Sequence, residues 1–290
     1  MRYGTGMLLV VLAGILWSLQ GLVFRQIDQA GTWATLFWRS VGMLPVLLAF
    51  LMWRAGGSPV GLIRKVGLAG VFGGIGLVGA FAGAIYSIQA TTIANAVFLF
   101  AASPFLTAIL GWIILREGVR PETWAAMAVG MVGIFLMVRE GLSGGAMAGN
   151  VAALLSALGF AVFTVSLRWK GVADTLPSVL LGGIFSLTVG AVVAGQLGQT
   201  LAVPMADALW AMAMGAVTLT GGMILYTLGS RVVPAAELAL LSNIEVVLAP
   251  IWVWLFLNET ASAATFVGGA VLVAAVTVNG ILGARRAVTA

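Results

Sequence analysis

Apolar residues run in long, nearly uninterrupted blocks along this chain, and short links between them hold most of the charges. Ten blocks can be placed, at 6–24, 31–53, 66–88, 92–115, 121–138, 148–167, 176–197, 207–229, 234–257 and 262–283. Each approaches the roughly 20 residues that a helix needs to cross a bilayer. The links leave no room for a soluble domain. The tightest, Arg116 to Arg120, is followed by Pro121, whose fixed φ suits the first turn of a new helix. The first block, roughly Met7 to Phe24, is followed by Arg25 and lacks a clear small-residue cleavage site, so it reads as a spanning helix.

Counting Lys and Arg tests this layout. With the N-terminus inside, the inner links carry Arg2, Arg54, Arg64, Lys65, Arg116, Arg120, Arg168, Lys170, Arg231, Arg285 and Arg286. The outer links carry only Arg25 and Arg139. Positive charge gathers on the cytoplasmic side of membrane proteins, so this asymmetry predicts an even number of spans with both termini inside.

The stretch Ala94 to Glu117 recurs 142 residues later as Ala236 to Glu259, with identities that include Trp112/Trp254 and Glu117/Glu259. LAGILWSLQGLVFR (12–25) similarly aligns with LSALGFAVFTVSLR (155–168), setting Trp17 over Phe160 and Arg25 over Arg168. The chain therefore reads as two copies of one five-helix unit, 1–143 and 144–290. An odd number of helices per copy inverts the second copy in the membrane, a pattern found in transporters. The predicted fold class is all-α integral membrane, ten transmembrane helices as two inverted five-helix repeats.

Composition narrows the chemistry. Hydrophobic residues make up 61% of the chain and charged residues 8%, against roughly 25% charged in soluble domains. With no Cys and no His, the chain can form no disulfide, Cys/His metal site, Ser-His-Asp triad or histidine proton relay. No catalytic group, metal or cofactor is expected. The net charge of +5 is read as topology rather than as affinity for nucleic acid.

Polar groups at membrane depth are costly and usually face an internal cavity, which singles out Arg39 and Glu245. Asn95, Asn243 and Ser103, the repeat counterpart of Glu245, add polar groups on helices four and nine. Two readings stand side by side: a buried ion pair that ties helices together, or recognition of a charged substrate group, with Glu245 also able to carry a coupling proton. Pro104 and Pro250 are candidate kinks near the middle of those two helices. Gly79 and Gly83, within the glycine-rich third helix, read first as a helix-packing surface and second as direct substrate contact. They are also candidate kink or gating positions, since a helix that slides or bends fits either reading. Among the aromatic residues, Trp17, Tyr86, Phe98, Phe160 and Tyr226 are candidates for a cavity wall, although interfacial belts and interhelix packing take most such residues.

Two five-helix copies, each with a fourth helix ending in an apolar run plus Glu, resemble the EamA-type exporters of the drug/metabolite transporter superfamily. The residues that carry the resemblance are Ala94–Pro104…Glu117, Ala236–Glu245…Glu259 and LWSLQGLVFR at 16–25. The second copy departs from the pattern, with Val246 where the first has Pro104. The resemblance implies a central cavity bounded mainly by helices three, four, eight and nine, and alternating access. It also implies a multi-pass protein of the bacterial cytoplasmic membrane that exports amino acids or related metabolites, the aromatic amino acid branch being nearest. The expected partners are a small-molecule substrate and the lipid bilayer, and a monomer suffices. A multidrug or sugar-phosphate transporter is the alternative, followed by a membrane-embedded enzyme or scramblase.

Overall fold

The protein is described from a computed structural model that covers residues 1–91, 93–139, 147–169, 175–257 and 263–289. Among these residues all regular secondary structure is helical. In chain order the helices are α1 (Tyr3–Ser18), α2 (Gln20–Phe24), α3 (Thr32–Ala55), α4 (Val60–Ala90), α5 (Ile93–Phe100), α6 (Ser103–Leu110), α7 (Pro121–Val138), α8 (Met147–Ser166), α9 (Leu176–Gln196), α10 (Met205–Ala213), α11 (Thr220–Gly229), α12 (Ala235–Ser242), α13 (Ile244–Leu257) and α14 (Ala263–Thr289). Two π-helical segments, Gly111–Leu115 and Met214–Leu219, follow α6 and join α10 to α11. Eight stretches are long and apolar enough to cross a membrane, and Pro121–Met137 forms a shorter apolar helix. The chain is a multi-pass membrane protein.

Local chemistry sets several boundaries. Pro121 opens α7 in the first turn, as the sequence predicts. Gly56 ends α3 with φ 64°, and the N–H groups of Gly56 and Gly57 close back on Trp53 and Met52, the left-handed cap that glycine adopts without strain. The fourth predicted block divides at Ala101–Ala102, so Pro104 falls in the first turn of α6, where its missing N–H costs nothing. The ninth block also divides, but at Asn243 rather than at Pro250, since α13 continues as helix through position 250. A shift of 142 residues brings the first interruption, 101–102, to 243–244, so the two breaks match in the repeat register.

Helix packing follows small residues. The α4–α8 contact is built on glycine: a Cβ on Gly76 would meet the Gly159 carbonyl at 2.7 Å, and one on Gly83 the Ala152 carbonyl at 2.7 Å. Gly79 sits in the same seam at ordinary distance, 3.7 Å from Gly159. Such close backbone approach is how helices associate where water supplies no hydrophobic drive. α1 packs on α11, α3 on α9, and α7 on α14. The interdomain boundary at 143/144, Lys170, Glu259 and the Pro250 side chain lie outside the described residues.

Candidate functional site

A cavity of about 270 Å³ opens among α1, α2, α3, α4, α5, α8, the second π segment, α11 and α13. Its walls come from one half of the bundle: the end of α1 and α2 (Trp17, Gln20, Phe24), the latter half of α4 (Phe81, Ile85, Ile88) and the first half of α8 (Ala153, Ser156, Phe160). Arg39 on α3 and Glu245 in the first turn of α13 both reach it.

Arg39 is 5% exposed and lies 4.5 Å over the Phe81 ring, a cation–π contact. Its Nε and Nη2 groups find no acceptor among the described residues. No ion pair joins it to Glu245 there, so the pairing that the sequence allowed is not what holds either side chain. A buried guanidinium with two unanswered donors is costly unless a ligand supplies the acceptor. Its position is dictated by a tight crossing: a Cβ on Gly42 would stand 2.1 Å from the Met212 carbonyl oxygen, so α3 and α10 approach backbone to backbone.

The floor is aromatic. Trp17 meets Tyr226 at 5.3 Å between ring centroids and Phe160 at 5.9 Å, while Phe160 lies 5.3 Å from Tyr226. Tyr226 is fully buried and shares a 2.8 Å hydrogen bond with Thr164. Gly222 makes room for the indole, since a Cβ there would stand 2.1 Å from Trp17 Nε1.

Of the predicted site residues, Trp17, Arg39, Phe160 and Glu245 share this cavity, with Tyr226 behind the floor. Tyr86 is 37% exposed and Phe98 packs on Phe135, both away from the cavity. Asn95 is buried and donates to Thr91 and Asn150, both at 3.3 Å. Ser103 and Asn243 are buried with Oγ and Oδ1 lacking partners among the described residues. Gln20, Phe81 and Ser156 also face the cavity and were not singled out, since a small polar residue or a Phe in an apolar block gives no depth signal of its own.

The opposite half of the bundle is closed by charge. Arg168, after α8, donates through Nε to Glu117 Oε1 at 2.6 Å and through Nη1 to the carbonyls of Ser230 and Val233, each at 2.9 Å. Arg120 Nη2 donates to Glu237 Oε1 at 2.6 Å, and Tyr3 donates its hydroxyl to Glu237 Oε2. Glu117 is aimed by local backbone: after Gly111–Leu115 the chain turns through Arg116 in the left-handed region (φ 56°), and the Glu117 N–H returns to the Gly111 carbonyl at 3.2 Å.

A largely apolar cavity inside a helical bundle, reached by one buried guanidinium and one carboxyl group, is an arrangement that suits a membrane transporter. Residues 4–139 match the EamA-like transporter family. The first half of the chain thus carries an EamA-like transporter domain, of the drug/metabolite transporter superfamily. It is 26% identical over 288 residues to solute carrier family 35 member G1 of Homo sapiens, covering 94% of this chain and 77% of that one. It is 28% identical over 282 residues to the pseudopaline exporter CntI of Pseudomonas aeruginosa, covering 93% and 94%. A solved crystal structure superposes with a TM-score of 0.83 over 99% of each chain at 20% identity, a likeness of fold alone.

Proposed function

We propose that the chain exports amino acids, aromatic ones included, across the bacterial cytoplasmic membrane by alternating access. Ten spans in two inverted repeats, 1–143 and 144–290, place both termini in the cytoplasm. The observation that carries the substrate class is Arg39: a buried cation whose unanswered N–H groups sit at a cavity wall that also presents Glu245. A carboxylate answers the guanidinium fork and an ammonium answers the Glu245 carboxylate. The Trp17, Phe81 and Phe160 rings suit an aromatic side chain.

Size and charge favour this reading over its rivals. About 270 Å³ lies below the roughly 300–1,000 Å³ of drug-sized pockets. Arg39 is the one Lys or Arg among the cavity residues, too little cation for a sugar phosphate. Support for the inverted repeat comes from the packing of α4 on α8 and of α11 on α1, which are corresponding pairs, and from the matched helix breaks. A relative's name, pseudopaline exporter, supports export as the direction.

The test is transport of labelled amino acids, including aromatic residues, Met and Thr, by purified protein in liposomes with and without a pH gradient. Movement of zwitterions, with the matching amides excluded, is the expected result. Equal movement of acid and amide would remove the role given to Arg39, and no movement of either would remove the substrate assignment.

A further inference from the structure

The cavity and the ion pairs lie at opposite ends of the same helices. On α1 the cavity residue Trp17 is near the last turn and Tyr3 is the first residue; on α8 Ala153 and Ser156 precede Phe160, and Arg168 follows the end. We infer that Arg168–Glu117 and Arg120–Glu237–Tyr3 form a charge-locked gate across the end of the bundle opposite the cavity, and that a closed substrate path past Ser103, Thr107 and Asn243 lies behind it. The inference rests on the transport reading above and adds the residues that hold one end shut.

Two independent observations carry it. First, both pairs join the two halves of the chain, Arg120 to Glu237 and Glu117 to Arg168; Arg120, Glu117 and Arg168 lie just outside helices and Glu237 in the first turn of α12. Arg168 adds the carbonyls of Ser230 and Val233, and Glu117 Oε2 accepts from the Ala235 N–H at 3.4 Å. The ends of α8, α11 and α12 and the turn after α6 are thereby drawn to one point. These side chains keep partial contact with solvent, 22–28% for Arg120, Arg168 and Glu117, so the pairs can part without stranding a fully desolvated charge. Glu237, 4% exposed, is the buried anchor.

Second, buried polar atoms lacking partners among the described residues occur along the helices between the aromatic floor and the gate. Ser103 and Thr107 lie on α6, one turn apart, on the way from the Ala101–Ala102 break to Glu117. Asn243 lies at the α12–α13 break, on the way to Glu237, and α6 packs on α12. A helical Ser or Thr normally donates to a carbonyl in the preceding turn, as Ser40 and Thr218 do here. Ser103 and Thr107 do not. Polar groups buried without partners are rare in native proteins and call for a use. Opening the gate hydrates this row and gives the substrate a polar passage.

The absence of cysteine allows a direct test, because a single introduced thiol is the only reactive one. Thr107→Cys reports the path and Ala249→Cys reports the cavity wall, each probed in nanodiscs with a charged maleimide. In the otherwise unaltered protein, Ala249→Cys is expected to label and Thr107→Cys to be protected. Adding Glu117→Gln and Glu237→Gln, which keep shape and remove charge, should speed Thr107→Cys labelling at least about tenfold. Exchanging the charges of one pair, Glu117→Arg with Arg168→Glu, should restore protection only in part, because a carboxylate at 168 cannot donate to the Ser230 and Val233 carbonyls. Rising salt supplies the same test without disturbing the fold, since it screens the partly exposed Arg168–Glu117 pair most and should speed Thr107→Cys labelling alone. Rapid labelling of Thr107→Cys with the gate intact, or continued protection under both charge removal and salt, would overturn the gate. A fall in Ala249→Cys labelling as Thr107→Cys rises belongs to alternating access; if both positions label together, the gate stands and alternation fails. None of these readouts depends on which solute is carried.

Discussion

Gly215 presses against Arg39: a Cβ at position 215 would stand 1.9 Å from the Arg39 carbonyl oxygen. The contact lies within the π segment Met214–Leu219, whose widened turn brings backbone rather than side chain to α3. The guanidinium that reaches the cavity is thus held by a backbone crossing, with no room for even a methyl group. Gly215→Ala forces α3 and the π segment apart, at an expected cost of about 1–3 kcal/mol. Thermal unfolding of the purified protein checks this against Gly4→Ala. No atom lies within 4 Å of the Cβ that Gly4 would gain, so that control stays within about 1 kcal/mol of the native protein. Equal melting of the two variants would show that the crossing yields freely.

Arg39 itself makes a sharper prediction. Arg39→Gln removes the charge that answers a carboxylate, and a hydrogen bond to a charged group contributes about 1.5–3 kcal/mol. Transport efficiency for zwitterionic amino acids should fall roughly 10- to 100-fold. Arg39→Lys keeps charge but loses the planar fork, so it should recover only part of that loss. Binding of a tryptophan analogue without its carboxylate should not respond to either change, and a comparable loss there would make Arg39 a structural residue.

Charge was legible in the sequence because it is expensive to place in a membrane. Arg39 and Glu245 stood out by depth alone, and both reach one cavity. Pro121 marked the start of α7 because proline leaves few other options. Direction around a helix was far less legible. Spanning helices here are apolar on nearly all sides, so no amphipathic stripe tells which face turns inward. Tyr86 therefore looked as suitable as Trp17, yet it points outward. Pro250 was a candidate kink in the ninth block, but the chain interrupts at Asn243, 142 residues after the break at Ala101. Arg168 and Glu117 were each visible as repeat markers; their pairing depends on the left-handed turn at Arg116, a tertiary choice that no local pattern announces.

The Tyr226–Thr164 hydrogen bond is fully buried, which gives its removal a distinctive signature. Thr164→Val leaves the Tyr226 hydroxyl without its partner and should cost about 1–3 kcal/mol. Tyr226→Phe leaves the smaller Thr164 hydroxyl, which can turn to a carbonyl of its own helix, and should cost about 1 kcal/mol. The double variant should be no less stable than Thr164→Val alone, because both polar groups leave together. Melting temperatures of the four proteins form the cycle, and strict additivity would mean that the two hydroxyls are not coupled.

Asp207 closes the link between α2 and α3 by a different device. The carboxylate, 4% exposed, accepts the N–H groups of Gln29 at 2.8 Å and Ala30 at 2.9 Å, with Asp28 at 3.5 Å. Three consecutive donors converge on one anion, so the backbone of the link folds around position 207. Asp207→Ala orphans those donors and should cost about 2–3 kcal/mol. Because Ala30 also accepts from Thr35 in the first turn of α3, the loosened link should reach the helix that carries Arg39. Asp207→Asn keeps one acceptor oxygen and should recover about half the loss. The measurement is hydrogen exchange at residues 28–35 in the purified protein: exchange should rise there in Asp207→Ala and stay near native in α9. Unchanged protection at 28–35 would mean that the link holds its shape without the carboxylate.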